Sequence, residues 1–128
     1  FDAVIDEILR IDDPFLSNRR VTTTDVEIGD RTIPAGQRVV LNWTAANRDP
    51  RVVGDPDACC PDENAPHNLV YGIGPHVCPG RGLATLELRV AVEELLAATT
   101  GIELAPDCEP VREVSPVGGF RSVPVILS

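Results

Sequence analysis

Residues 71–80, reading Tyr-Gly-Ile-Gly-Pro-His-Val-Cys-Pro-Gly, constrain this chain more than any other stretch. Gly72, Gly74 and Gly80 carry no Cβ, so the backbone there can lie flush against a flat group. Pro79 biases Cys78 toward an extended backbone, which presents its sulfur at the loop tip. A long apolar helical pattern follows at once. Cys78 therefore stands just ahead of a helix start, where backbone N–H groups and the helix dipole favour an anion. A thiolate favoured in this way is a metal ligand. From the residues alone, the competing reading is a glycine-rich turn holding a buried, inert cysteine.

The flanking patterns divide the chain into short elements. Val4, Ile5, Ile8 and Leu9 recur at helical spacing, so residues 2–11 read as an amphipathic helix that Asp13-Pro14 ends. Glu7 and Arg10 share one face, and an exposed pair of this kind is worth roughly 0.2–0.5 kcal/mol. Residues 25–42 alternate. They predict a hairpin turning at Gly29-Asp30, a second turn at Pro34-Ala35-Gly36, and a strand over 38–41. A short helix over 43–48 stops before Pro50. Residues 50–67 are rich in Pro, Asp and Gly without periodicity, and read as a long irregular loop. Residues 81–99 form a helix apolar on most of its circumference, the pattern of a helix buried inside a larger protein. Residues 102–104 and 122–127 read as closing strands, with a turn over 116–120. The class is α+β.

Composition removes several functions. The 128 residues suit one domain with a moderate core. A net charge of −9, without a basic stripe, argues against nucleic-acid binding. No apolar run approaches the roughly 20 residues that cross a bilayer, and no signal peptide is visible. The expectation is no membrane and a cytoplasmic location. Cys59, Cys60, Cys78 and Cys108 do not suggest a disulfide framework. The chain begins at Phe1 and contains no Met, so a piece of a longer product is expected. Zinc held by Cys59, Cys60, His67, His76 and Cys78 lacks the usual ligand spacing. Covalent c-type haem needs Cys-x-x-Cys-His, which is absent. Dinucleotide binding fails because Val77 fills the third glycine place. Cys78 and His76 sit two apart on a strand-like stretch, with no third residue to complete a nucleophilic site.

The loop as spaced resembles the haem-binding signature of the cytochrome P-450 family, Phe-Gly-x-Gly-x-His-x-Cys-x-Gly, with Tyr71 in place of Phe. Glu7-x-x-Arg10, upstream on a helix, matches the family's other signature. Ile33-Pro34-Ala35-Gly36, Ala46-Asn47-Arg48-Asp49-Pro50, Leu83-Ala84 and Glu87-Leu88-Arg89 fit the wording of its bacterial members. The resemblance implies that Cys78 is the axial thiolate of haem iron, with Tyr71, Gly72, Gly74 and Gly80 around the cofactor. His76 would donate to a haem propionate. Arg20, otherwise a surface Arg on a strand, matches a second propionate anchor. Glu7 and Arg10 would form a buried structural pair, whose loss of one partner costs about 3–5 kcal/mol. Phe15, Leu16, Ser17, Pro116 and Val117 become candidate substrate-pocket residues, although a plain turn is the simpler reading at Pro116 and Val117.

The implied fold is the C-terminal part of the mainly α cytochrome P-450 fold. Its parts are the Glu-x-x-Arg helix, a small β-sheet region, a meander, the cysteine loop, a long proximal helix and a closing β-hairpin. Residues 1–128 would be one fragment of a single domain, without the N-terminal helices and the distal helix that manages oxygen. The implied activity is haem-thiolate monooxygenation, inserting one atom of O2 into a small organic substrate. The cofactor would be haem b. NAD(P)H would serve indirectly, through ferredoxin and ferredoxin reductase-type donors. The fragment alone is expected to be inactive, and a non-catalytic haem-binding remnant is the other reading. The chain departs from the family in the meander. Cys59, Cys60 and Glu63 hold the places of Phe-Asp-x-x-Arg, so the Arg that joins the Glu-x-x-Arg pair is missing, with Arg48 and Arg51 as substitutes to consider. Asn68 also stands where His is frequent.

Overall fold

The computed structural model describes residues 1–114 and 117–128, so Pro116 lies outside the described residues. The first helix, α1 (Asp2–Ile11), buries Ile5, Glu7 and Arg10. Glu7 and Arg10, three apart, share one face, whereas Ile5, two before Glu7, lies on another side of the helix, so α1 is covered on more than one side. Asp13 then accepts from the Phe15 N–H at 2.8 Å and turns the chain out of the helix.

The strands pair two by two, all antiparallel. β1 (Ser17–Val21) pairs with β4 (Arg38–Asn42), with Arg20 opposite Val39. Between them lies the hairpin of β2 (Val26–Ile28) and β3 (Arg31–Ile33). Its turn holds Gly29 at φ +61°, a conformation that costs glycine nothing. Asn42 caps α2 (Trp43–Asn47), its side chain accepting from the Ala45 N–H.

Residues 50–67 are more regular than their composition suggests. They contain α3 (Pro50–Val53), α4 (Pro61–Asn64) and a 3-10 turn at Ala65–His67. Two of the prolines that read as breakers stand instead at helix starts, where a missing N–H is harmless. Asp49 caps α3 by accepting from the Arg51 N–H at 3.0 Å.

The long helix is α5 (Arg81–Ala98), as its spacing predicts. None of its residues is buried, and Leu83, Leu86, Val90 and Leu96 are among those exposed. The closing region differs from a single hairpin. β5 (Ile102–Leu104) pairs with β8 (Val125–Leu127), while β6 (Val111–Arg112) and β7 (Phe120–Ser122) pair inside them. Residues 122–127 are thus two strands, divided where Pro124 offers no N–H to a ladder. Gly118 docks this region onto the end of α1. Its N–H donates to the Pro14 carbonyl at 2.9 Å, and a Cβ there would strike the Asp13 carbonyl oxygen.

The buried interior is small and unusually polar. Ile5, Val53, Ala65 and Val70 are its buried apolar residues, alongside Glu7, Arg10, Asp13, Asn47 and Asn64. No helix among the described residues is long and apolar enough to cross a membrane.

Candidate functional site

The site is built outward from the ion pair on α1. Glu7 and Arg10 are both 0 % exposed, so the pair is not the solvated surface pair that spacing alone allows. Arg10 Nε donates to Glu7 Oε2 at 2.7 Å and Nη2 donates to Oε1 at 2.9 Å. This bidentate geometry is the strongest form of the interaction. The remaining guanidinium N–H groups donate to carbonyls of Asn47 at 2.8 Å, Ala58 at 3.2 Å and Pro56 at 3.4 Å. Glu7 Oε1 also accepts from the Cys60 N–H at 3.0 Å and Asn64 Nδ2 at 3.1 Å. The Arg10 guanidinium holds the Glu7 carboxyl below its usual range, against the opposing effect of burial. Glu7 in turn holds Arg10 more firmly protonated.

The missing third member of this cluster is not supplied by either arginine considered from the sequence. Arg48 pairs with Asp57 and donates to the Ile11 carbonyl. Arg51 Nε pairs with Asp49 at 2.9 Å, which draws the Asp49 carboxyl down to about 2. Glu63 is exposed, and the next residue, Asn64, turns inward to Glu7. Sequence reading missed this role. The only signal was an amide one position beyond the expected arginine.

Asn47 carries the cluster toward the cysteine loop. Its backbone carbonyl accepts from Arg10, and its side-chain Oδ1 accepts from the Leu69 N–H at 2.6 Å. Its Nδ2 reaches Asp13 Oδ2 at 3.4 Å. Burial pushes the Asp13 carboxyl up, and the Phe15 N–H and Asn47 amide oppose that shift. The Leu69 carbonyl then accepts from the Gly72 N–H at 2.8 Å, which begins the loop.

Within the loop, the Cys78 N–H donates to the Tyr71 carbonyl at 2.8 Å and the Val77 N–H to the Gly74 carbonyl at 3.0 Å. Gly72 and Gly74 both sit at φ +74°. Residues 74–76 form a 3-10 turn rather than the strand-like stretch expected, because positive φ at Gly74 reverses the chain. The Cys78 carbonyl accepts from the Arg81 N–H at 3.2 Å, so the cysteine stands one short turn ahead of α5. The Arg81 guanidinium lies 5.5 Å from the Tyr71 ring centre and also pairs with Asp6 on α1 at 3.6 Å.

Cys78 lines a cavity of about 730 Å³. Arg20, Tyr71, Gly72, His76 and Phe15 line the same cavity, so elements far apart in sequence converge on it. Trp43 is also in its wall, with Nε1 donating to Asn18 Oδ1 at 2.7 Å. Leu16 and Val117 instead line a separate cleft of about 310 Å³ with Thr44 and Arg112. Ser17 starts β1, and Phe15 bridges to Val117. Gly80 sits behind the cysteine, where a Cβ would lie 3.7 Å from Sγ.

A porphyrin with a single axial protein ligand needs a free donor atom beside an apolar slot, with cationic groups for its carboxylates. Cys78 is a free, exposed thiol. The cavity wall beside it is largely hydrocarbon, from Leu9, Leu41, Val70 and Leu88 among others. Its volume falls within the roughly 300–1,000 Å³ range of small-molecule and cofactor sites. Arg20 and His76 stand in its wall as donors. The residues present fit the group.

The family model described as Cytochrome P-450 matches residues 1–100. The beta-dihydromenaquinone-9 omega-hydroxylase of Mycobacterium tuberculosis is 41% identical over 102 residues, covering 80% of this chain and 21% of its own length. The steroid C26-monooxygenase of Mycolicibacterium smegmatis is 35% identical over 127 residues, covering 98% of this chain and 32% of its own length. The ligand-free structure of cytochrome P-450 TbtJ1 superposes with a TM-score of 0.90 at 35% identity, over 99% of this chain and 34% of that one. The chain thus spans about a fifth to a third of the length of the proteins it matches.

Proposed function

Because this chain belongs to the cytochrome P-450 family, we propose that residues 1–128 are the C-terminal, haem-anchoring part of a single P-450 domain, with Cys78 as the residue whose thiolate would hold the iron. The observation that carries this reading is the shared cavity. One free thiol, a histidine and an arginine line the same largely apolar space, beneath a loop whose backbone curves at two positive-φ glycines.

Bound haem b supplies the redox chemistry by which one atom of O2 is transferred to a small organic substrate, with electrons from NAD(P)H passed through ferredoxin-type partners. The chain's own residues do the holding. Cys78 Sγ, as a thiolate, would hold the iron. The hydrogen bond from the Cys78 N–H to the Tyr71 carbonyl fixes the backbone that carries the sulfur. Arg20 and His76, at the cavity wall, would donate to the cofactor's carboxylates. Leu41, Val70 and Leu88 would present hydrocarbon to the bound group. The polar cluster around Glu7 and Arg10 keeps α1, the meander and the loop in register. Among the described residues there is no counterpart of the family's distal acid-and-threonine helix, so proton handling during oxygen cleavage is assigned to a part of the domain outside them. The same assignment leaves residues 1–128 inactive by themselves.

Trp43, the only tryptophan, provides the test because it lines the cavity. Titration with haemin should quench its fluorescence to a saturable end point at one equivalent. Cys78→Ala should weaken the apparent affinity by about tenfold or more, the loss of at least one strong polar contact. Equal, unsaturable quenching in both proteins would contradict the reading.

A further inference from the structure

The adjacent thiols Cys59 and Cys60 lie outside the haem reading, and the protein uses their shared peptide in its core. Both are free; Cys59 is exposed and Cys60 half-buried. The peptide N–H between them is the one that donates to buried Glu7 Oε1 at 3.0 Å. The carbonyl on the other side of Cys60 accepts from the Asn64 N–H at 2.9 Å, and the Ala58 carbonyl accepts from Arg10 at 3.2 Å. Two oxidisable sulfurs thus flank a peptide group that holds the central ion pair.

We propose that Cys59 and Cys60 form a reversible oxidation site, a disulfide between neighbours that loosens the meander from Glu7. The oxidant class is a hydroperoxide, with hydrogen peroxide the simplest. The exposed Cys59 sulfur attacks one peroxide oxygen, breaking the O–O bond to give a sulfenic acid and one water. The Cys60 sulfur then attacks the Cys59 sulfur, forming S–S and releasing the hydroxyl with the Cys60 proton as a second water. Two thiols are oxidised and one peroxide is reduced. Dithiol exchange reverses the step.

The structural consequence follows from ring size. Neighbouring Cα atoms are about 3.8 Å apart across a trans peptide, whereas disulfide-linked Cα atoms usually lie about 4.4–6.8 Å apart. Closure therefore twists the peptide group inside the small ring, and that group carries the N–H bound to Glu7. A strained, accessible disulfide is also a labile one, the kind suited to switching. The site does not involve Cys78 and stands independently of haem binding.

The test is treatment of the full chain with hydrogen peroxide, followed by alkylation, peptide mapping and amide hydrogen exchange. The expected product has Cys59 bonded to Cys60, with Cys78 and Cys108 alkylated. Exchange at the Cys60 and Asn64 amides should rise by about tenfold, the size of weakening one hydrogen bond to a buried charge, and return after dithiothreitol. Cys60→Ser and the exposed-site variant Cys59→Ser should both lack the peroxide-induced rise. The proposal is overturned if both thiols stay alkylatable while Cys108 is oxidised, or if either sulfur pairs elsewhere. It is equally overturned if the disulfide forms without a change in exchange, or if those amides are unprotected in the reduced chain.

Discussion

Asn64 Nδ2 donates to Glu7 Oε1 at 3.1 Å, across 57 residues of sequence, and both side chains are buried. A neutral amide meets the carboxylate here, one position after Glu63, the place at which the resemblance implies an arginine. Glu7 is then balanced by one formal charge, Arg10, and by the Cys60 N–H. Asn64→Ala should destabilise the chain by about 1–3 kcal/mol, the cost of leaving a charged acceptor short of a partner. Asn64→Asp should cost more at neutral pH, because a second carboxylate faces the first, and the excess should shrink in acid. Thermal unfolding of the two variants checks the order.

Breaking the ion pair should be the most damaging change in the interior. Glu7→Gln leaves the Arg10 guanidinium buried without a counter-charge, at a cost of about 3–5 kcal/mol. The acid dependence has a definite sign. The Glu7 carboxyl titrates below its usual range in the folded chain, so the unfolded chain binds more protons in that window. Its contribution is complete above the ordinary carboxylate pKa and disappears as pH falls through the lowered folded value. Asp13, raised by burial, tilts stability the other way, so that stability declines as pH climbs through its higher window. Denaturant midpoints against pH should show both slopes in the wild type; Glu7→Gln should make the acid-side loss shallower, leaving the part that comes from surface pairs such as Asp49 with Arg51, and should leave the Asp13 slope in place.

Gly72 and Gly80, on either side of the cysteine, should behave differently. Gly72 sits at φ +74°, and an added Cβ would lie 3.6 Å from the His76 carbonyl oxygen. Gly72→Ala should therefore cost about 1–2 kcal/mol in backbone strain with no clash. Gly80 lies at φ −86°, and its added Cβ meets Cys78 Sγ at an ordinary 3.7 Å. Gly80→Ala should leave stability within about 0.5 kcal/mol of the wild type. Parallel denaturant curves for the two variants distinguish these outcomes.

Local order was written plainly in the sequence where period and turn chemistry agreed. The helix over 2–11, the hairpin at Gly29-Asp30 and the helix after the cysteine loop all appear where spacing put them. The meander was harder, because Pro50 and Pro61 break a helix in its interior but start one at its first position, and composition cannot say which. The closing strands pair as expected, 102–104 with 125–127, but the second run is divided for a related reason. One apolar run, 122–127, serves two different pairings on either side of Pro124. Asn47 and Asn64 were illegible as cluster members, since an isolated asparagine looks the same on a surface turn as in a buried network. Their roles depend on contacts with residues 34 and 57 positions away in sequence.

The central claim is that Cys78 Sγ is the donor beside the cavity, and absorbance of the reduced, carbon monoxide-bound protein tests it most directly. Measured on the chain within its full domain, the wild type should show the red-shifted Soret band of thiolate ligation. Cys78→Ser should lose that band while Cys59→Ser and Cys108→Ser keep it. A red-shifted band that survives in Cys78→Ser would contradict the account.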